Sequence, residues 1–286
     1  MKFLKEMFGH YMKSNTFEKG AALSYYVAFS FLPMIVIVIS VLGLIFREDT
    51  VSEELITQLG EIIGEKAALQ FEKLIQNQHL NHNSLLNTIA GFITLALAST
   101  AGFSQLQRSL NAIWQIRTKP KSNILNYIVK RLTFFLALIT LGFVLILSTM
   151  LGKLVVSFSE NLPEFLANAR LYESLLSFLL ITLMLVALFR FLGSAKVPWK
   201  NALVSAGFTS ILFLLGKEAI NMYIAHSNLS STFGAASIIA LLMIWVFYTA
   251  QILYLGACFA LVFGKKYGCR ITPDEKSVRI VQKEIG

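Results

Sequence analysis

Residues 21–46 run for twenty-six positions without one charged side chain. Coiled as a helix at about 1.5 Å per residue, such a run reaches roughly 39 Å, more than the ~30 Å hydrocarbon core of a bilayer. The core of a soluble domain has no use for that length, so the run predicts a membrane. Lys2, Lys5, Lys13 and Lys19 precede it, as basic residues precede a secretory signal. The run is nevertheless much longer than the roughly 7–15 apolar residues of a signal core, no small-x-small cleavage site follows, and further apolar runs come after it. It is expected to be retained as a first membrane helix.

The same criterion places further spans near 85–107, 132–151, 174–192, 201–225 and 235–263. The expected fold is all-α: a polytopic membrane protein with about six transmembrane helices, a single domain over 1–286 and a cytoplasmic tail from 264 to 286. Composition agrees, since 56% of the 286 residues are apolar and only 14% are charged, against about a quarter charged in soluble domains.

Six spans put both ends of the chain on one side, and lysine and arginine choose the side. Four lie before residue 21, six between 108 and 131, Lys196 and Lys200 between the fourth and fifth spans, and six between Lys265 and Lys283. The opposite loops hold Arg47, Lys66, Lys73, Lys153 and Arg170. Eighteen against five predicts that both ends are cytoplasmic in a multi-pass protein of the bacterial inner membrane. The net charge of +9 is thereby explained by insertion and by anionic headgroups. No aromatic-interleaved basic motif points to nucleic acid.

The segment 47–84 is acidic, with Glu48, Asp49, Glu53, Glu54, Glu61, Glu65 and Glu72 against three basic residues. Leu55, Leu59, Ile62 and Ile63 recur at helical spacing, softened by Gly60 and Gly64. An extracytoplasmic amphipathic helical segment is expected between the first two spans. Its negative face repels anionic lipid, so it is expected to cap the outer ends of the spans and to offer a surface to envelope proteins. Cys258 and Cys269 imply no disulfide framework and no metal cluster.

Three stretches carry a resemblance. They are Ala21-Ala22-Leu23-Ser24-Tyr25-Tyr26 running to Phe31-Leu32-Pro33; Ser109-Leu110-Asn111-Ala112-Ile113-Trp114; and a carboxy-terminal third. That third holds Val197-Pro198-Trp199, Gly216-Lys217, Phe233-Gly234-Ala235-Ala236-Ser237, and Trp245 through Tyr248-Thr249-Ala250-Gln251-Ile252 to Gly256-Ala257. In their order and spacing they resemble the YihY/BrkB family of bacterial inner-membrane proteins over almost the whole chain. Cys258 stands where that family often has glutamate, and Glu218 where it usually has an apolar or aromatic residue. The resemblance implies a six-helix inner-membrane fold. The family once carried a ribonuclease label and has loose links to serum resistance and envelope lipids.

Nuclease chemistry needs clustered carboxylates or histidines around metal ions. His10, His79, His82 and His226 are scattered, and the pair His79 and His82 has no acidic or cysteine ligand near it in sequence. No Ser/His or paired Asp arrangement suits an intramembrane protease either. The reading is therefore no enzyme, no cofactor and no metal.

Transport leaves other traces: ionisable residues within spans, broken helices and small residues where helices slide. Lys217 and Glu218 lie roughly 12 Å inside the outer end of the fifth span. Being adjacent, they point about 100° apart and cannot neutralise each other face to face. The competing reading sets the span outward and lets Lys217 snorkel to the outer headgroups. A second cluster, at the inner ends, gathers Tyr26, Gln105, Arg108, Arg190 and Gln251, which could hold an anionic headgroup. Ordinary interface anchoring competes with it. Pro33 is expected to kink the first span, and Gly102, Gly142, Gly207, Gly234 and Gly256 to allow close helix contacts. The preferred function is binding or moving an amphiphilic, anionic envelope molecule such as a lipid. The alternative is a non-transporting membrane scaffold for envelope partners.

Overall fold

The structure is a computed structural model that describes residues 2–43, 56–57, 69, 101–119, 169–226, 236–275 and 277–280. The expected span near 132–151, most of that near 85–107 and nearly all of the acidic segment 47–84 lie outside the described residues. The described chain is mostly helical. In order it forms α1 (Lys2–Lys13), α2 (Thr16–Gly43), a helical stretch over 101–113 and β1 (Ile116–Thr118). Then come α3 (Ala169–Ala187) with a π-helical turn (Leu188–Leu192), β2 (Ala195–Lys196), α4 (Trp199–His226), α5 (Ala236–Lys266), β3 (Thr272–Pro273) and β4 (Ser277–Arg279).

Helices α2, α3 with its π turn, α4 and α5 fall on four of the spans read from the sequence, with ends displaced by a few residues. Two stretches, Trp199–Lys217 and Ile239–Lys266, are long and apolar enough to cross a membrane, by length and composition. Helix α2 begins before the uncharged run, at Thr16, which is fully buried while Phe17 and Glu18 beside it are exposed. Helix α4 starts where Pro198 gives its carbonyl to the amide of Ala202. Gly268, at φ 76°, turns the chain after α5 in the left-handed region that glycine enters at little cost.

The chain divides into two compact units. The first comprises Met1–Ser14, Gln107–Leu214 and Leu253–Gly286. The second comprises Asn15–Leu106 and Leu215–Ile252.

In the first unit, two short antiparallel ladders join the segments that link and follow the helices. Strand β1 pairs with β4, Arg117 opposite Val278, and β2 pairs with β3, Ala195 opposite Pro273. The tail after α5 is thus tied to the chain after 113 and to the turn before α4. The amide of Ile280 adds a bond to the carbonyl of Gln115, and that of Asp274 one to Ser194. Helix α1 joins the same unit, burying Met7 and Tyr11, and His10 Nε2 hydrogen-bonds the carbonyl of Ile113 at 2.7 Å.

Between α4 and α5 in this unit the contact is made by small and polar residues. Asn201, Ser205 and Thr209 are buried and four residues apart, so they line one stripe of α4. Asn201 Nδ2 donates to the carbonyls of Ala260 and Cys269, Ser205 Oγ to Asn201 Oδ1, and Thr209 Oγ1 to the carbonyl of Ser205. Opposite stand Gly256, Ala260 and Gly264, also four apart. A Cβ at Gly256 would lie 2.0 Å from Thr209 Oγ1, and one at Gly264 would lie 2.6 Å from Asn201 Nδ2. Small residues that let backbones approach, with polar side chains bonding across, are how helices associate where no hydrophobic drive acts between them. Elsewhere the faces are apolar and exposed, as in the stripe Leu175, Leu179 and Leu183 of α3.

Candidate functional site

Lys217 lies in α4, within the second unit, and is half-buried. No ion pair reaches it among the described residues. Its neighbour Gly216 is fixed by a close approach from α5, where a Cβ would stand 1.1 Å from the Tyr248 hydroxyl. The Gly216-Lys217 pair read from the sequence therefore sits where α4 and α5 nearly touch, and Tyr248 is the partner that sequence reasoning did not assign. The apolar stretch of α4 ends at Lys217, a placement that the snorkelling reading also predicts. Glu218 follows within the helix.

The inner cluster is divided. Tyr26, Gln105 and Gln251 belong to the second unit; Arg108 and Arg190 belong to the first. Within the second unit Tyr26 is half-buried, with its Cβ 3.6 Å from where a Cβ on Gly102 would stand. Gln251 donates from Nε2 to the carbonyl of Thr16 at 3.3 Å, and its amide fills the space beside Gly20. Gln251 is thus a fastener between α2 and α5 before it is anything else. Gln105 is half-buried in the helical stretch over 101–113. Pro33 lies inside α2.

Arg190 is placed in the π-helical turn, where Leu188, Phe189 and Leu192 are buried around it. Its Nη1 donates to the carbonyl of Val197, and its guanidinium carbon lies 4.3 Å from the centroid of the Trp199 ring. That geometry is a cation–π contact plus a charged hydrogen bond, and it braces the turn leading from α3 into α4. Its buried Nε has no hydrogen-bond partner among the described residues. Arg108 is exposed.

The stretch Ser109–Trp114 is a structural clasp in the first unit. Asn111 Nδ2 donates to Ser194 Oγ at 3.2 Å, and the Ser194 amide returns a bond to Asn111 Oδ1 at 2.8 Å. The Trp114 indole donates to the carbonyl of Ala257 at 3.1 Å and covers Gly193, where a Cβ would lie 2.4 Å from the ring. Ser109 and Tyr254 hydrogen-bond through their side chains. The signal for this role was the alternation of small polar and large apolar residues just past a span end. Cys258 and Cys269 are free, Cys258 buried and Cys269 half-buried. Among the described residues no three His, Cys, Asp or Glu side chains gather as a metal would require.

Long apolar helices with exposed apolar stripes, joined by small and polar residues, define a helical membrane protein. The chain belongs to the virulence factor BrkB family, whose model matches residues 7–281. It is 20% identical over 259 residues to a UPF0761 membrane protein of Psychrobacter sp. (strain PRwf-1), covering 89% of this chain and 47% of that one. It is 24% identical to a UPF0761 membrane protein of Alcanivorax borkumensis, covering 84% and 55%. One of Stenotrophomonas maltophilia (strain R551-3) is also 24% identical, covering 90% and 59%. The chain spans about half the length of the curated relatives it matches. No solved structure matches it.

Proposed function

We propose that the protein binds or moves an amphiphilic, anionic envelope molecule, such as a lipid, within or across the bacterial inner membrane. It does so as a multi-pass bundle of about six spans with both ends of this chain cytoplasmic. The observation that carries the reading is Lys217, a half-buried ammonium in α4 with no described ion-pair partner. A lysine in a membrane helix costs up to roughly 2.5–3.5 kcal/mol on insertion scales, the most at the centre and less towards an end, and such residues mark pathways or ligand sites. An anionic headgroup would supply a countercharge.

The two ladders support the topology. They join the chain after 113, the turn before α4 and the tail, three of the four basic segments assigned to the cytoplasm. Segments hydrogen-bonded to one another lie on one side of a bilayer, so the positive-inside count and the pairing agree. No catalytic role is assigned to any residue, and no cofactor enters.

The placement of Arg190 supports the alternative function, a non-transporting scaffold. An arginine already held by Val197 and Trp199 acts as a brace, as it would in a scaffold whose acidic outer segment meets envelope proteins. The two readings separate in vesicles. Purified protein reconstituted with a fluorescent anionic phospholipid should speed its exchange between leaflets several-fold over protein-free vesicles. A scaffold should leave the exchange at the protein-free rate.

A further inference from the structure

The first unit contains a cavity of about 310 Å³ between the start of α1 and the end of α5, lined by Lys2, Phe3, Glu6, Val262, Lys265 and Lys266. We propose that it is a binding site for a phosphate-bearing anion, held by the ammonium groups of Lys2, Lys265 and Lys266 on an apolar floor of Phe3 and Val262. The site shares a ligand class with the function proposed above, but needs neither Lys217 nor any movement across the membrane.

Three lysines against one glutamate leave the lining with a formal charge of +2. Lys2, Lys265 and Lys266 are all exposed, and like charges repel at close range, so an anion held between these amines would relieve their repulsion. Glu6 does not supply it: among the described residues neither Lys2 nor Lys265 forms an ion pair. The negative end of the α5 dipole accounts for Lys265 and Lys266, which lie in its last turn. It does not account for Lys2, which arrives from a different helix.

Lys266 lies against aromatic rings. Its Nζ lies 5.6 Å from the ring centroids of both Phe3 and Tyr267, within cation–π range. Phe3 is itself seated edge-on against Phe259 at 5.3 Å, and Phe259 stacks on Phe208 at 4.3 Å. The cavity wall is therefore one end of a row of half-buried aromatic rings. Lysine binds phosphate as a point charge with rotatable donors, which suits a cavity of this size better than it suits a flat carboxylate fork.

Depth and access name the sources. The apolar stretch Ile239–Lys266 ends at the cavity's own lysines, which sets the site at headgroup level in a membrane. The exposed apolar residues Leu4, Phe8 and Met12 lie on the flank of α1 turned away from Lys2 and Glu6, so the mouth also faces water. Either a phospholipid headgroup or a soluble phosphoester could therefore enter.

The test uses the full chain in non-ionic detergent. Native mass spectrometry counts bound phosphatidylglycerol against phosphatidylcholine, and calorimetry follows glycerol phosphate against chloride at equal ionic strength. Phosphatidylglycerol adducts should exceed phosphatidylcholine adducts several-fold. They should fall at least fivefold in Lys265→Gln/Lys266→Gln and in Lys2→Gln, and persist in Lys265→Arg/Lys266→Arg and in Lys5→Gln on the same helix. Glycerol phosphate that binds, and is lost in the same variants, assigns the site to soluble phosphoesters as well; glycerol phosphate that does not bind assigns it to lipid. Equal losses in Lys5→Gln, or binding of neither ligand by the wild type, would overturn the proposal. A loss in Lys217→Met with none in the Lys2, Lys265 and Lys266 variants would place the binding at Lys217 and overturn this proposal, whereas the reverse pattern would leave this proposal standing and count against the function proposed above.

Discussion

The hydroxyl of Tyr248 occupies the space that a side chain at position 216 would need, 1.1 Å from where a Cβ on Gly216 would stand. This approach of α5 to α4, one residue before Lys217, fixes the backbone that presents the lysine. Gly216→Ala should destabilise the protein by about 1–3 kcal/mol, the usual cost of overpacking. Gly216→Ala/Tyr248→Ala should cost clearly less than the sum of the two single changes, because the clash is shared. Thermal melting of the four proteins in one detergent closes the cycle, and strict additivity would mean that the contact is not made.

Trp114 holds the clasp of the first unit. Trp114→Phe keeps much of the ring but removes the donor to the Ala257 carbonyl. A lost buried hydrogen bond costs about 1–3 kcal/mol, so the melting temperature should drop by several degrees while membrane insertion is unchanged. A melt identical to the wild type would show that the indole nitrogen has no structural role.

Arg190 and Arg108 should behave differently. Lysine at 190 can replace one donor but not the planar stacking on Trp199, so Arg190→Lys should cost about 1 kcal/mol of stability. Arg108, being exposed, should tolerate lysine without a change in melting temperature. Equal effects at the two sites would remove the distinction between brace and surface residue.

The helices were legible because their cause is local. An uncharged run of bilayer length reads the same in sequence and in structure, as α5 shows. The stripe Asn201, Ser205 and Thr209 facing Gly256, Ala260 and Gly264 was also written in plain four-residue spacing, but only the pairing of α4 with α5 gives it meaning. The ladders were not legible. Strands of two or three residues, such as Ala195–Lys196, carry no periodicity and exist because the tail folds back on them. Arg190 illustrates the opposite case. Its place near a span end suggested an anion site, whereas the π-helical turn aims it at the carbonyl of Val197.

Orientation rests on eighteen basic residues against five and on the ladders that join three basic segments. Single cysteines at Ser52 and at Arg117, in a background with Cys258→Ala and Cys269→Ala, should differ towards an impermeant thiol reagent. Position 52 should label in cells whose outer membrane is permeabilised. Position 117, exposed in β1, should label only after the inner membrane is opened. Labelling of 117 first would reverse the topology.

The central claim is that the charge of Lys217 serves function and not fold, and Lys217→Met tests it most directly. Methionine roughly keeps the side-chain length and relieves the cost of placing an ammonium in a span. The variant should therefore insert, accumulate to wild-type level and melt no lower than the wild type. Rescue of the phenotype produced by deleting the gene, scored at equal expression, should nevertheless be lost. If Lys217→Met rescues as well as the wild type, the lysine is an anchor at the outer headgroups and the proposal that it meets an anionic ligand is wrong.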